Sequence, residues 1–127
     1  MTRSIRDARG LLPLPAHDLH ILLAVLDVPR HGYAVIRHVE GTSGGQLHLG
    51  TSTVYAALKR MLGAGLIEET NRPGNEASED VRRRYYQATP FGREVAREAA
   101  KDVERLHTAV RRLRLLRDTP LPRRGRP

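Results

Sequence analysis

Hydrophobic residues recur at three- and four-residue spacing in four stretches of the chain, which predicts four helices. The first stretch, residues 16–27, is apolar almost all the way round, so its helix should be buried on more than one side. Pro29 should end it, and residues 30–32 should form a turn. The second helix should cover residues 33–40, with three side chains facing inward: Tyr33, Ile36 and Val39.

The third stretch, residues 49–62, organises the rest of the chain. Its hydrophobic residues fall on one face of a helix: Val54, Leu58, Met61 and Leu62. We expect residues 50–52 to supply a turn and a hydroxyl N-cap, because a Ser or Thr side chain can accept hydrogen bonds from the unpaired amides of a first turn. Gly63 and Gly65 should end the helix.

The other face of this third helix is small, hydroxylated and basic, without a carboxylate. It is formed by Thr51, Ser52, Thr53, Ala56, Lys59 and Arg60. Such a face can enter a DNA major groove without repulsion from phosphate, although a solvated amphipathic helix can show the same pattern. We expect the first four residues to face base edges and the last two to contact phosphate, because base contacts come mainly from the first turns. Tyr55 lies at the edge and should bond a phosphate or pack against the segment that follows.

That segment reads as a β-hairpin. Residues 66–70 and 82–88 have the pattern of strands, and the polar residues 71–78 between them are rich in turn formers. Three helices followed by a hairpin is the order of a winged helix-turn-helix, in which the third helix enters the major groove and the hairpin lies over the backbone or minor groove. At least one of three arginines in the second strand should face DNA: Arg82, Arg83 and Arg84. The acidic tip should be repelled by phosphate: Glu76, Glu79 and Asp80.

A long last helix should begin after Thr89, whose hydroxyl can cap it, with Pro90 at the first helical position. Its apolar residues alternate three- and four-residue steps, as in a coiled-coil seam: Ala96, Ala99, Val103, Leu106, Val110 and Leu113. We expect this seam to pair with a second copy of the chain. The alternative is that it folds back on the first helix of its own chain.

These elements predict a mainly α fold with a small β-hairpin (α+β): a winged helix-turn-helix plus a long C-terminal dimerisation helix. We divide the chain into four parts: a flexible basic arm at 1–15, the DNA-binding domain at 16–89, the dimerisation helix at 90–117 and a disordered basic tail at 118–127. The arm could touch DNA or a partner protomer, or it could be an unordered leader.

Charge and composition narrow the function. The net charge of +8 indicates a polyanionic partner, for which we take double-stranded DNA. The chain has no cysteine, and no apolar run approaches the ~18 residues needed to cross a bilayer. We therefore expect a cytoplasmic protein with no membrane partner.

The sequence offers no pattern for catalysis or for a cofactor. His17 and His20 share a helix face, but no cysteine or carboxylate with ligand spacing accompanies them, so we expect no metal site. Nucleophile elbows, phosphate-binding loops and paired catalytic carboxylates are missing as well. We therefore do not expect an enzyme.

Five segments together resemble the PadR family of transcriptional regulators, in its order and spacing. They are ILLAVL at 21–26, HGY at 31–33, TVYAALKR at 53–60, GLI at 65–67 and RYYQATPFG at 84–92. The resemblance covers roughly residues 16–117. It implies a homodimer that binds an inverted-repeat operator, usually as a repressor. With a single C-terminal helix, the chain is similar to the short subgroup, some of whose members bind flat aromatic drugs at the dimer interface.

Two features depart from the family pattern. The family commonly opens its recognition helix with a Ser-Pro-Gly-like sequence, where this chain has Gly50-Thr51-Ser52. Drug-binding members use a tryptophan at the dimer interface, and this chain has no tryptophan. A small-molecule effector could still release the protein from DNA.

A second hypothesis is a winged-helix module whose basic surface docks an acidic partner protein. A footprint over an inverted repeat separates this hypothesis from the first.

Overall fold

The computed structural model describes residues 4–71 and 84–116. In chain order these residues form α1 (Ile5–Arg9), α2 (Asp18–Ala24), β1 (Arg30–His31), α3 (Gly32–Thr42), α4 (Thr51–Gly63), β2 (Ile67–Thr70), β3 (Tyr85–Ala88) and α5 (Pro90–Arg112). The predicted class, mainly helical with a small antiparallel sheet and a long last helix, is confirmed. Arg82, Arg83, the acidic residues 76–80 and the predicted tail at 118–127 lie outside the described residues.

The sheet has three strands in the order β1-β3-β2, with both pairs antiparallel. The predicted hairpin is β2 paired with β3, with Ile67 opposite Ala88. The turn predicted at residues 30–32 is wrong, because Arg30 and His31 pair with the far edge of β3. A two-residue strand has no periodicity to detect and forms only where an edge of another strand offers hydrogen bonds.

The core lies where α2, α3 and α4 meet the sheet and the first turns of α5. Its largest fully buried side chains are Ile21, Leu22, Val25, Val35, Val39, Val54, Leu58, Met61 and Val95. Tyr33 was predicted to face inward, but it is 63% exposed. Helix α3 starts at Gly32, so the buried face follows Gly32, Val35 and Val39 and leaves Tyr33 on the opposite side.

Helix α4 begins without a side-chain cap. Its N-cap is Gly50, and no side chain hydrogen-bonds to the first turn there, so the predicted hydroxyl N-cap is wrong. Thr51 is already helical, which places the hydroxyls of residues 51–53 on the first turn rather than on the residue before it. All three side chains are exposed.

The start of α5 is fixed against the turn between α4 and β2. As predicted, Thr89 caps the helix, since its hydroxyl oxygen accepts a hydrogen bond from the amide of Gly92 at 2.9 Å. The same hydroxyl donates to the Gly65 carbonyl at 2.6 Å, and the Thr89 amide donates to the Leu66 carbonyl at 3.0 Å. A Cβ on Gly92 would overlap that Leu66 carbonyl oxygen. Only glycine therefore allows this approach.

Part of the predicted N-terminal arm is ordered. Ser4 and Asp7 form a capping box at the start of α1, and Ala8 is fully buried. The rest of the predicted flexible arm that is described, residues 10–15, continues from this helix into α2. The spacing of Ser4 and Asp7 is a local signal of a helix start that the sequence analysis missed, and α1 is also held by residues far away in the chain.

Those distant residues belong to α5. The guanidinium of Arg9 donates to Glu98 at 3.1 Å and to both oxygens of Asp102 at 3.0 Å. Glu98 is 2% exposed and also accepts a hydrogen bond from Lys101 at 2.8 Å. The pKa of the Glu98 carboxyl is lowered from its usual value, chiefly by Lys101 and also by Arg9, against the opposite effect of burial. The ionised carboxylate thus anchors α1 to α5.

In residues 4–71 and 84–116, no helix is both long enough and apolar enough to cross a membrane.

The contact at Gly92 predicts a test of the fold. Gly92→Ala should lower the free energy of unfolding by roughly 2 kcal/mol or more, because a methyl group must displace backbone atoms. Chemical denaturation followed by circular dichroism measures this. The matched control is Gly41→Ala on α3, where a Cβ meets nothing within 4 Å, and there we expect a gain of up to about 1 kcal/mol. Equal effects of the two substitutions would contradict the tight junction.

Candidate nucleic-acid interface

The outward face of α4 is the candidate DNA-reading surface. Its buried side is formed by Val54, Ala57, Leu58 and Met61. Because a helix turns ~100° per residue, Ser52, Ala56 and Lys59 lie directly opposite that side. Tyr55 falls on one flank of this outward face, and Thr53 and Arg60 fall on the other. All these side chains are exposed.

The central residues suit a major groove. A serine hydroxyl can donate to or accept from a base edge, and an alanine methyl can contact the methyl group of thymine. Lys59 forms no ion pair with any residue in 4–71 or 84–116, so its ammonium is available to phosphate. Three of the predicted base-facing residues, Ser52, Thr53 and Ala56, are thus brought together on one exposed surface beside a cation. Thr51 is also exposed, but it falls on the flank of Tyr55, nearly in line with the buried Leu58.

Arg60 has a partner that the sequence did not predict. Its Nη2 donates to both carboxylate oxygens of Asp18, the first residue of α2, at 2.7 and 2.8 Å. The Asp18 side chain is 4% exposed and that of Arg60 is 51% exposed. The sequence had assigned this arginine to DNA phosphate. In the structure its guanidinium connects α4 to α2.

For Arg60, pairing with Asp18 and contact with a phosphate at the surface differ in energy. Taking the cation away from Asp18 leaves a buried carboxylate without its partner, which costs about 1–3 kcal/mol or more. An exposed ion pair, by comparison, contributes about 0–1 kcal/mol. In the free protein, this difference in energy favours the pairing of Arg60 with Asp18.

Sequence reasoning missed Asp18, although a signal was present. An acidic residue in the first turn of a helix that is expected to be buried on more than one side needs a cationic partner. That condition alone does not identify the partner, because Arg60 lies 42 positions away in the chain.

Tyr55 packs against the start of α3. Its phenol ring lies over the backbone of Gly32, where a Cβ would overlap the Tyr55 hydroxyl. The side chain is nevertheless 42% exposed, at the edge of the outward face of α4. Of the two predicted roles, packing is what the free protein shows, and the contact described above is with the backbone at the start of α3. The glycine of the HGY segment thus allows Tyr55 of α4 to pack closely against the start of α3.

The described part of the hairpin carries both signs of charge. Arg84 pairs with Glu69 at 3.2 Å, and the Gln87 amide donates to Glu68 at 2.8 Å. The Arg84 side chain is 64% exposed, so it combines this ion pair with access to solvent. On the inner side, burial raises the pKa of the Tyr86 phenol, and the charge of Glu69 adds to that effect.

The structure divides the predicted dimerisation seam into a buried part and an exposed part. Ala96 and Ala99 are 3% and 6% exposed because the chain's own elements cover them, as the fold-back alternative had it. Beyond them, Val103, Leu106 and Leu113 are 53%, 66% and 70% exposed. Val110 is half-buried. The first third of the seam therefore belongs to the core, and the rest is an apolar stripe on an exposed helix.

A groove of about 300 Å³ borders this stripe. Its apolar lining includes Leu12, Leu14, Leu19, Ala99 and Val103, and its polar lining includes His17, His20 and Asp102. His17 has φ 72°, a backbone conformation that residues other than glycine rarely adopt, and it turns the chain into α2.

Comparisons with known proteins agree on one family. The model of the transcriptional regulator PadR-like family matches residues 21–98. A curated relative, an uncharacterised 37.1 kDa protein in transposon Tn4556 of Streptomyces fradiae, is 34% identical over 90 residues, or 71% of this chain. The match covers 24% of that relative, so the chain spans about a quarter of its length.

Solved structures share the fold. A PadR family transcription regulator from Clostridium difficile R20291 has a TM-score of 0.64 at 23% identity, covering 78% of this chain and 98% of that one. A PadR-like transcriptional regulator from Bacillus cereus has a TM-score of 0.63 at 22% identity, with 85% and 95% covered. A transcriptional regulator from Clostridium thermocellum gives 0.62 at 21% identity, with 87% and 97% covered.

The ion pair between Arg60 and Asp18 predicts that adjacent cations on α4 contribute differently to stability. Arg60→Ala should lower the free energy of unfolding by about 1–3 kcal/mol, because it leaves the buried carboxylate unpaired. Lys59→Ala, the control, should change it by less than about 0.5 kcal/mol. Urea unfolding of both variants measures the difference, and equal stabilities would show that the ion pair contributes nothing.

Proposed function

The chain belongs to the PadR-like family of transcriptional regulators, and from that membership we propose that it is a repressor that binds an inverted-repeat operator as a homodimer. Members of this family regulate transcription and are not enzymes, and the chain is a DNA-binding regulator in the same sense.

The outward face of α4 carries the proposal. Ser52, Ala56 and Lys59 project from it in line, the hydroxyls of Thr51 and Thr53 stand beside them, and all are exposed. No acidic side chain lies on α4. We assign base contacts to the first two turns and a phosphate contact to Lys59, because the N-terminal turns of a recognition helix enter the major groove.

The hairpin would add contacts to the backbone or minor groove. Among the described residues of the hairpin, Arg84 is the cation. It would leave its exposed ion pair with Glu69 to bind phosphate at little cost, since such pairs contribute about 0–1 kcal/mol. Arg82 and Arg83 stay predictions from the sequence. Most of the affinity would come from such phosphate contacts, so binding should weaken as salt rises.

Dimerisation would use the exposed part of α5. A stripe of Val103, Leu106, Val110 and Leu113 on a helix that extends beyond the core leaves apolar surface in water, and a second copy would remove it. Ala96 and Ala99 are excluded from this interface because the chain itself covers them. Two recognition helices held in this way would reach half-sites about one helical turn apart, ~34–36 Å.

An effector would act where α5 meets the rest of the chain. The groove beside the stripe has an apolar lining and a polar rim, which suits a small amphipathic molecule. Such a molecule would release DNA by favouring another angle of α5 and hence another separation of the recognition helices, which is a population shift. The absence of tryptophan means that aromatic stacking as in the drug-binding subgroup is not available.

A gel-shift and footprint on the upstream DNA of the protein's own gene test the proposal. We expect a discrete complex that resists competitor DNA, weakens with salt and protects two symmetric half-sites in the major groove. A smear that competitor DNA abolishes would reject sequence-specific regulation at this site. It would favour the other hypothesis, a basic winged helix that docks an acidic protein.

The dimer is tested by Leu106→Asp. A carboxylate in the middle of the stripe should give monomers by sedimentation and abolish cooperative operator binding, because burying an unpaired charge is costly. Thr108→Asp lies on the opposite side of α5 and serves as the control, with dimers and operator binding retained. A Leu106→Asp protein that stays dimeric would move the interface elsewhere.

A further inference from the structure

We propose that Asp18 limits how strongly the surface of α4 binds DNA phosphate, because it holds the charge of Arg60 on the side of the helix that faces α2. This inference rests on the proposed function as a DNA-binding regulator. It assigns a role to a buried carboxylate that does not itself face DNA. It also assigns different tasks to two neighbouring cations of α4.

The geometry fixes the pair. Asp18 is 3% exposed, and the residues that follow it in α2, Ile21 and Leu22, are fully buried, so the core determines where its carboxylate lies. Both of its oxygens accept from Nη2 of Arg60, at 2.7 and 2.8 Å. Hydrogen bonds between ionised groups at these distances are roughly twice as strong as neutral ones, so they hold this end of the guanidinium at Asp18. The guanidinium therefore points along the flank of α4 toward α2 rather than outward.

The electrostatic consequence concerns non-specific binding. Affinity for any DNA arises from cations that displace counterions at phosphates, and a cation already neutralised by a carboxylate does not contribute in this way. Of the two cations of α4, Lys59 is unpaired among the described residues, whereas Arg60 is neutralised. Asp18 thus lowers affinity for every DNA sequence, operator and random alike.

The ion pair does not reduce the contacts that are proposed to read the base sequence. Ser52 and Ala56 lie on the central line of the outward face, away from the flank where Arg60 meets Asp18. A phosphate contact adds to operator affinity and to random-sequence affinity alike, so Asp18 lowers both. The ratio of the two, which is the specificity, is left to contacts such as those assigned to Ser52 and Ala56.

The test is the salt dependence of binding, measured by fluorescence anisotropy on operator and on random DNA of equal length. Each phosphate neutralised adds about 0.9 to the slope of log affinity against log salt, which is roughly a 3.5-fold change between 50 and 200 mM salt. Lys59→Gln should lower the slope by about 0.9. Arg60→Gln should leave the slope unchanged, because the charge that it removes is already neutralised by Asp18.

For Asp18→Asn we expect the opposite change in the salt slope. It keeps the shape of the side chain but removes the charge that neutralises the arginine, so affinity for operator and for random DNA should rise together and the slope should steepen by about 0.9. The double variant Asp18→Asn with Arg60→Gln should return the slope to that of the wild type. Glu104→Gln, an exposed site on α5, controls for the change of net charge and should leave the slope unchanged.

The outcomes separate the possibilities. If Arg60→Gln lowers the slope as much as Lys59→Gln does, the arginine contacts phosphate and the inference is overturned. An unchanged slope in a folded Asp18→Asn protein overturns it too, since a purely stabilising ion pair changes unfolding but not the slope. If Asp18→Asn does not fold, the comparison of the two glutamine variants decides. Failure of the proposed function would appear in the wild type, as equal affinity for operator and random DNA.

Discussion

The close approach of α5 to the end of α4 determines the arrangement of this protein. The hydroxyl of Thr89 bonds both to Gly65 and to the first turn of α5, and the missing side chain of Gly92 lets that turn sit on the Leu66 carbonyl. Helix α4, the base of the hairpin and the long helix are thereby joined at one point. Any account of how α5 affects DNA binding starts from this junction, because α4 and α5 cannot move there independently.

From the junction onward, α5 runs first through the core of the chain and then along its exposed surface. Its first turns complete the core and are covered by α1, which Arg9 attaches through Glu98 and Asp102. From Val103 its apolar residues are exposed. The change occurs within one continuous helix of 23 residues, so the interior of the chain and the surface proposed for the partner share one rigid element. The stability of the monomer and the geometry of the dimer are therefore linked.

The sequence predicted what local patterns determine. Thr89 and Pro90 mark the start of α5, and the periodicity of α4 identifies its outward face, because capping and amphipathicity depend on neighbouring residues. It did not predict what distant residues determine. The strand at Arg30, the ordering of α1 and the pairing of Arg60 with Asp18 each depend on partners far along the chain. The seam of α5 shows the same limit, since its spacing is uniform while its burial is not.

The start of α4 has a consequence for how such regulators diverge. Its cap is the backbone of Gly50, and no side chain of the first turn is needed to form it. The identities of the three residues that follow are therefore uncoupled from the stability of the helix, and substitutions there cost little in folding. If these side chains contact bases as proposed, a lineage can exchange them, and with them the DNA bases it recognises, while the scaffold that presents them stays the same.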